Sequence, residues 1–223
     1  MRPLIYRILL FFFCLTAIPT VAQINTDRVM NIGRNALYFE DYVLSIQYFN
    51  QVIKAKPYWA DPYFYRAVAK LNLDDFRGAE ADATACIDRN PYMVDAYQVR
   101  GIARQNMENY EGAIADYKQG LEYEPHDRPM LMNLAIAEVQ IEDYSAADSA
   151  YVALFAQYPS YAPAYLSRSQ FNLMRGDTIA ARADVDKAIE HDKNMSPAYQ
   201  IRAHIRMKHD ADYAGALEDM NMA

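Results

Sequence analysis

The sequence is short of glycine, of cysteine and of positive charge. Seven glycines in 223 residues leave little room for a fold built on glycine turns or for a phosphate-cradling loop. Two cysteines, Cys14 and Cys86, cannot supply a disulfide framework. Lysine and arginine total 22 against 29 acidic residues, a formal charge of −7. The chain therefore lacks the basic face that a general nucleic-acid binder turns towards phosphates. No apolar run reaches the ~20 residues that a membrane-spanning helix needs. The four histidines make no metal pattern, because His204 and His209 are five apart and diverge on a helix. There is no Cys–His cluster at ligand spacing and no Gly-x-Ser-x-Gly nucleophile turn. Nothing here calls for catalysis or for a cofactor. Acids such as Glu138 and Glu142 read as solvated helix surface.

The first residues have the layout of an export signal. Met1–Arg7 carries two arginines and no acid, and Ile8–Ile18 is an apolar run. Pro19 breaks the run, and Thr20, Val21 and Ala22 are small or short before Gln23. This predicts a secretory signal peptide over 1–22, cleaved after Ala22, and a short lead over 23–25. A chain starting at Gln23 keeps 20 basic and 29 acidic residues, a formal −9, and Cys86 is its one thiol. Cys86 shares a column with Gly120, Leu154 and Ala188, so it reads as a small core residue.

What organises the rest is a period of 34. Pro57, Pro91, Pro125 and Pro159 keep that step. So do Gly33, Ala67, Gly101, Ala135, Ser169 and Ala203, all small, and Ser45, Ala79, Ala113, Ala147 and Ala181, also small. Tyr63, Tyr97, Tyr165 and Tyr199 fall in register, with Leu131 in the gap. Within residues 94–127, Tyr97, Gly101 and Arg104 share one helical face. Tyr110, Ala113 and Tyr117 share another after a break at Glu108-Asn109. Small residues on both faces let two helix axes approach closely.

Two charged columns come and go together. Arg66, Arg100, Arg168 and Arg202 occupy one, and Asp82, Asp116, Asp184 and Asp219 the other. The first unit has Ile32 and Tyr48 in those places, and the fourth has Leu134 and Ala150. A buried charge without its partner is costly, so each arginine is expected to pair with the aspartate of its own unit.

These columns resemble the tetratricopeptide repeat. The resemblance implies an all-α fold, a right-handed α-α superhelix of about six helix pairs over 26–223. The units would be 26–59, 60–93, 94–127, 128–161, 162–195 and 196–223, the last incomplete. Lys193 stands where a proline belongs, an extra residue near Ala211 shifts the sixth unit, and Thr178 replaces an aromatic residue. The short sixth unit raises the expectation of a longer protein, whose N-terminal interaction module this chain would be.

The resemblance also implies a concave face, lined by the first helix of each pair, that binds a protein or peptide. The matching positions are Met30 and Leu37, Phe64, Val68 and Leu71, then Gln98, Ile102 and Gln105. Met132, Ile136 and Val139 follow, and then Leu166, Gln170 and Leu173. This lining is apolar with amides. Relatives that hold chaperone C-termini use a lysine, asparagine and arginine clamp, and that clamp is missing here. The expectation is an exported scaffold of the periplasm or cell envelope that is not an enzyme, takes a protein or peptide partner, and binds no nucleic acid. The rival expectations are an N-terminal interaction module of a larger envelope enzyme or regulator truncated after Ala223, and glycan binding, suggested by 19 tyrosines.

Overall fold

The computed structural model describes residues 25–223, so the expected signal peptide lies outside the described residues. Twelve helices follow one another with no strand among the described residues. They form six antiparallel pairs: α1 (Thr26–Tyr38) with α2 (Tyr42–Ala55), α3 (Asp61–Leu71) with α4 (Phe76–Arg89), and α5 (Val94–Asn106) with α6 (Tyr110–Tyr123). Then come α7 (Arg128–Gln140) with α8 (Tyr144–Gln157), α9 (Ala162–Met174) with α10 (Thr178–His191), and α11 (Ser196–His209) with α12 (Tyr213–Met222). Each helix packs on the next, which gives an α-solenoid of stacked helix pairs.

The turn inside each pair has a fixed chemistry. Glu40, Asp74, Glu108, Glu142 and Gly176 keep the 34-residue step, and all have positive φ. The residue after each, Asp41, Asp75, Asn109, Asp143 or Asp177, caps the second helix by accepting from a backbone N–H three residues on. In the sixth unit the positive φ falls on Ala211 and the cap on Asp212. The extra residue of that unit therefore sits at the end of α11.

The small columns are where the pairs close. Ala67, Ala135, Ala79, Ala113, Ala147 and Ala181 have no exposed surface. A Cβ on Gly33 would lie 2.7 Å from the Phe49 ring, and one on Gly101 only 2.5 Å from that of Tyr117. Tyr117 is itself fully buried and cannot retreat. Glycine thus stands opposite the rings of Phe49 and Tyr117 and alanine opposite Ala83 in the second unit, whereas the fourth unit sets Ala135 in one cluster with the Tyr151 ring. Gly101→Leu and Ala113→Leu are each expected to lose about 1–3 kcal/mol through overpacking. An unchanged melting temperature in both variants would refute this pairing of helices.

Units are joined by tyrosine. The hydroxyls of Tyr63, Tyr97, Tyr165 and Tyr199 donate to the carbonyls of Pro57, Pro91, Pro159 and Lys193 at 2.9–3.1 Å. The bond needs only a carbonyl, so Lys193 serves as well as proline. The fifth unit keeps Ala181, Val185 and Ala188 fully buried despite Thr178.

Each of the four aspartates is bonded by the arginine of its own unit. Arg66 meets Asp82 at 2.5 Å, Arg100 meets Asp116 at 2.6 Å, Arg168 meets Asp184 at 2.6 Å, and Arg202 meets Asp219 at 2.7 Å. All four carboxylates are 4% exposed or less. Each accepts a second bond from one helical turn further along, from Lys70, Arg104, Asn172 or Arg206. Three arginines also reach back a unit, to Asn50, Thr84 and Asp186. The pairs are thus nodes that tie each hairpin shut and brace it on its neighbour. In the fourth unit the second-donor position holds Glu138. It is 2% exposed rather than solvated, paired through one oxygen with Lys118 at 2.9 Å. Its column puts it on the inward face, which the reading of it as a surface acid overlooked.

Candidate functional site

Successive first helices touch one another, α1 with α3 and so on to α9 with α11, whereas successive second helices do not. The first helices therefore make the inner wall of the superhelix. Along it Leu37, Phe64, Val68, Leu71, Gln98, Ile102, Gln105, Met132, Ile136, Leu166 and Leu173 are half-buried, and Gln170 is exposed. These are accessible rather than sunk, as a lining requires.

Two positions depart from the expected lining. Met30 is 8% exposed and packs with Phe49 and Val52, with Trp59 of its own unit and Tyr65 of the next against the same cluster. Tyr65 in turn stacks on Phe49, with Arg34 over its ring. Met30 is therefore core. Val139 is 6% exposed and belongs to the central core with Tyr151 and Phe171. It can offer a partner only the edge of its side chain. Whether such a position is open depends on the size of residues in the adjoining unit, which its own periodicity does not encode.

The amides on this wall are already oriented. The Asn72 and Asn106 side chains donate back to the carbonyls of Val68 and Ile102 at 2.8 and 2.9 Å. The side-chain oxygen of each has no partner among the described residues and can accept from outside. Gln105 accepts from the Tyr117 hydroxyl at 3.1 Å, which leaves its NH2 group to donate. Both acceptors and donors are thus free on this apolar surface, as an extended backbone would require.

No group of three or more His, Cys, Asp or Glu side chains able to hold a metal occurs among the described residues. None of their helices is long and apolar enough to cross a membrane. Cys86 has no exposed surface, and its Sγ lies 3.2 Å from Met93 Sδ. Burial, with Asp61 adding to it, pushes its thiol up to about 12. Such a thiol is inert at neutral pH.

Residues 94–127 match the family described as tetratricopeptide repeat, and that match is one whole unit of the period. The chain carries a tetratricopeptide repeat over those residues. A tetratricopeptide repeat protein from Parabacteroides merdae is similar over 90% of this chain and 78% of its own, at 19% identity and a TM-score of 0.71. YrrB, described as having an unusual peptide-binding site, is similar over 78% of this chain and 89% of its own, at 16% identity and 0.60. The first repeat domain of Spaghetti (RPAP3), solved with the HSP90 peptide SRMEEVD, aligns with 56% of this chain and 98% of its own, at 25% identity and 0.53. No curated protein sequence matches the chain. Tetratricopeptide repeat proteins are in general non-catalytic scaffolds, and two of these similar structures carry peptides or peptide sites in their descriptions.

Proposed function

We propose that this protein is an exported scaffold of the periplasm or cell envelope that holds a protein or peptide segment in its concave groove, without catalysis of its own. The signal-like segment over 1–22 supports export, and the repeats over 26–223 support binding. The observation that carries the reading is the inner wall itself, half-buried apolar side chains interleaved with amides that have unused hydrogen-bonding capacity. Leu71, Ile102, Gln105 and Ile136 are its central contributors. The lining lacks the cationic clamp of chaperone-binding relatives, so an acidic C-terminal peptide is not its partner.

A second reading, glycan binding, rests on tyrosines outside the packing columns. Tyr58 and Tyr92 sit in equivalent inter-unit loops at 70% and 75% exposure, and Tyr92 meets Tyr123 edge to face at 5.8 Å. One experiment separates the two. The protein is recovered from osmotic-shock fluid, where its mature N-terminus should be Gln23, and used to capture partners from envelope extract. Loss of capture with Ile136→Asp supports the groove. Loss with Tyr92→Ala, and competition by free saccharide, supports the glycan reading. Recovery only from cytoplasm with Met1 intact would overturn export.

A further inference from the structure

One position on each first helix faces the second helix of the preceding unit. It holds Ala69, Ala103 and Ala137 in units two to four, Phe171 in unit five and Ile205 in unit six, all 2% exposed or less. The size of this side chain sets the gap between units. The three alanine junctions are the closest, the isoleucine junction is looser, and α9 approaches α8 least of all. The spacing is held rather than slack. Phe171 lies against Tyr151 and Tyr144, with ring centroids 6.2 and 5.4 Å away. Across the gap the Tyr151 hydroxyl shares a hydrogen bond with Ser167 Oγ at 2.7 Å.

On the concave side this wedge leaves a cavity of about 160 Å³. Buried Val139, Tyr151 and Phe171 form its floor, Ile136 is half-buried beside it, and exposed Gln140 and Gln170 belong to its mouth. No charged side chain lines it.

We propose that this cavity is the anchor subsite of the groove, taking one leucine or methionine side chain from an extended segment of a partner protein. The inference rests on the groove reading and makes it specific. An uncharged lining desolvates an uncharged side chain at least cost. An apolar cavity of about 150 Å³ accepts a benzene-sized group, so leucine and methionine fit and tryptophan does not. The two rings of the floor suit a thioether in particular. Gln140 and Gln170 can each donate to and accept from the backbone flanking the anchor. A single desolvated anchor in such a pocket carries a large share of binding energy.

The test is selection of a random dodecapeptide phage library on the purified protein. Enriched sequences should share one position restricted to leucine or methionine. A representative peptide should lose about tenfold or more in affinity on Ile136→Phe and on Gln170→Phe, which fill the cavity from α7 and from α9. Gln170 is exposed, so the second variant keeps its fold, and helix content by circular dichroism checks both. Replacing the peptide's anchor by alanine should cost as much on the original protein and little more on the filled variants. Enriched peptides with no restricted apolar position, or undiminished binding by both filled variants, would overturn the anchor and leave the groove standing. Failure to enrich any peptide would overturn both.

Discussion

Replacing Asp116 by alanine is expected to cost about 3–5 kcal/mol, because it strands two cations at once, as the same change at Asp82 or Asp219 would. Asp116 is 2% exposed and accepts from Arg100 at 2.6 Å and from Arg104 at 2.9 Å. Without it the two guanidinium groups face each other across a space that water reaches poorly. Arg100 keeps Thr84 as a partner and Arg104 keeps Glu80 and the Gly112 carbonyl, which places the loss towards the lower end. Arg100→Leu should be milder, since Arg104 still neutralises the carboxylate. Adding Arg100→Leu to Asp116→Ala should then recover part of the larger loss. The double variant has the Leu134 and Ala150 pairing of the fourth unit, where the fold closes without either charge. Urea unfolding of the four proteins gives the cycle directly. Single losses that add to within about 0.5 kcal/mol would mean that Arg100 and Asp116 are not coupled and that the columns have another cause.

The double anchoring of each aspartate was only half legible in the sequence. Arginine and aspartate vary together, so their pairing could be inferred from repeats compared with one another. The second donor varies in chemistry, as Lys70, Arg104, Asn172 and Arg206, and a column of mixed types is easy to overlook. The capping column of Asp41, Asp75, Asn109, Asp143 and Asp177 was fully present in the sequence. It lies beside the break already noted at Glu108-Asn109, and asking what satisfies the first N–H groups of each second helix would have found it. Helix pairing, by contrast, was legible because close approach of two axes forces small residues at fixed steps, and that constraint repeats six times. The groove was legible as a face but not as a surface. Met30 and Val139 have the right angular position, yet neighbours from other elements, Tyr65 over one and the Tyr151 and Phe171 rings against the other, decide how much of each is seen. The cavity beside Phe171 was not legible at all. It comes from a difference between units, and periodicity reveals only what units share.

Ile136→Asp is expected to abolish most partner capture while leaving the helices intact. Ile136 lies on the inner wall of α7, half-buried, and borders the cavity between the fourth and fifth units. Its carboxylate replacement can stay hydrated in the free protein, so folding is spared. Docking an apolar segment would have to strip that water, and an uncompensated carboxylate does not release it cheaply. Val139→Asp is not an equivalent probe, because Val139 is 6% exposed and an acid there would damage the core before it touched a partner. Salt supplies an independent check. Raising ionic strength from about 0.1 to 1 M shortens the Debye length from about 10 to 3 Å, which weakens contacts between exposed charges. A partner held by apolar contacts and amides should keep its affinity across that range, and one held at the acidic outer surface should not. Capture from envelope extract by the original protein and by Ile136→Asp, each shown to be helical, reads both effects. Equal recovery by the two, or capture by the original that is lost at high salt, would move the binding surface off the concave wall and onto the charged second helices.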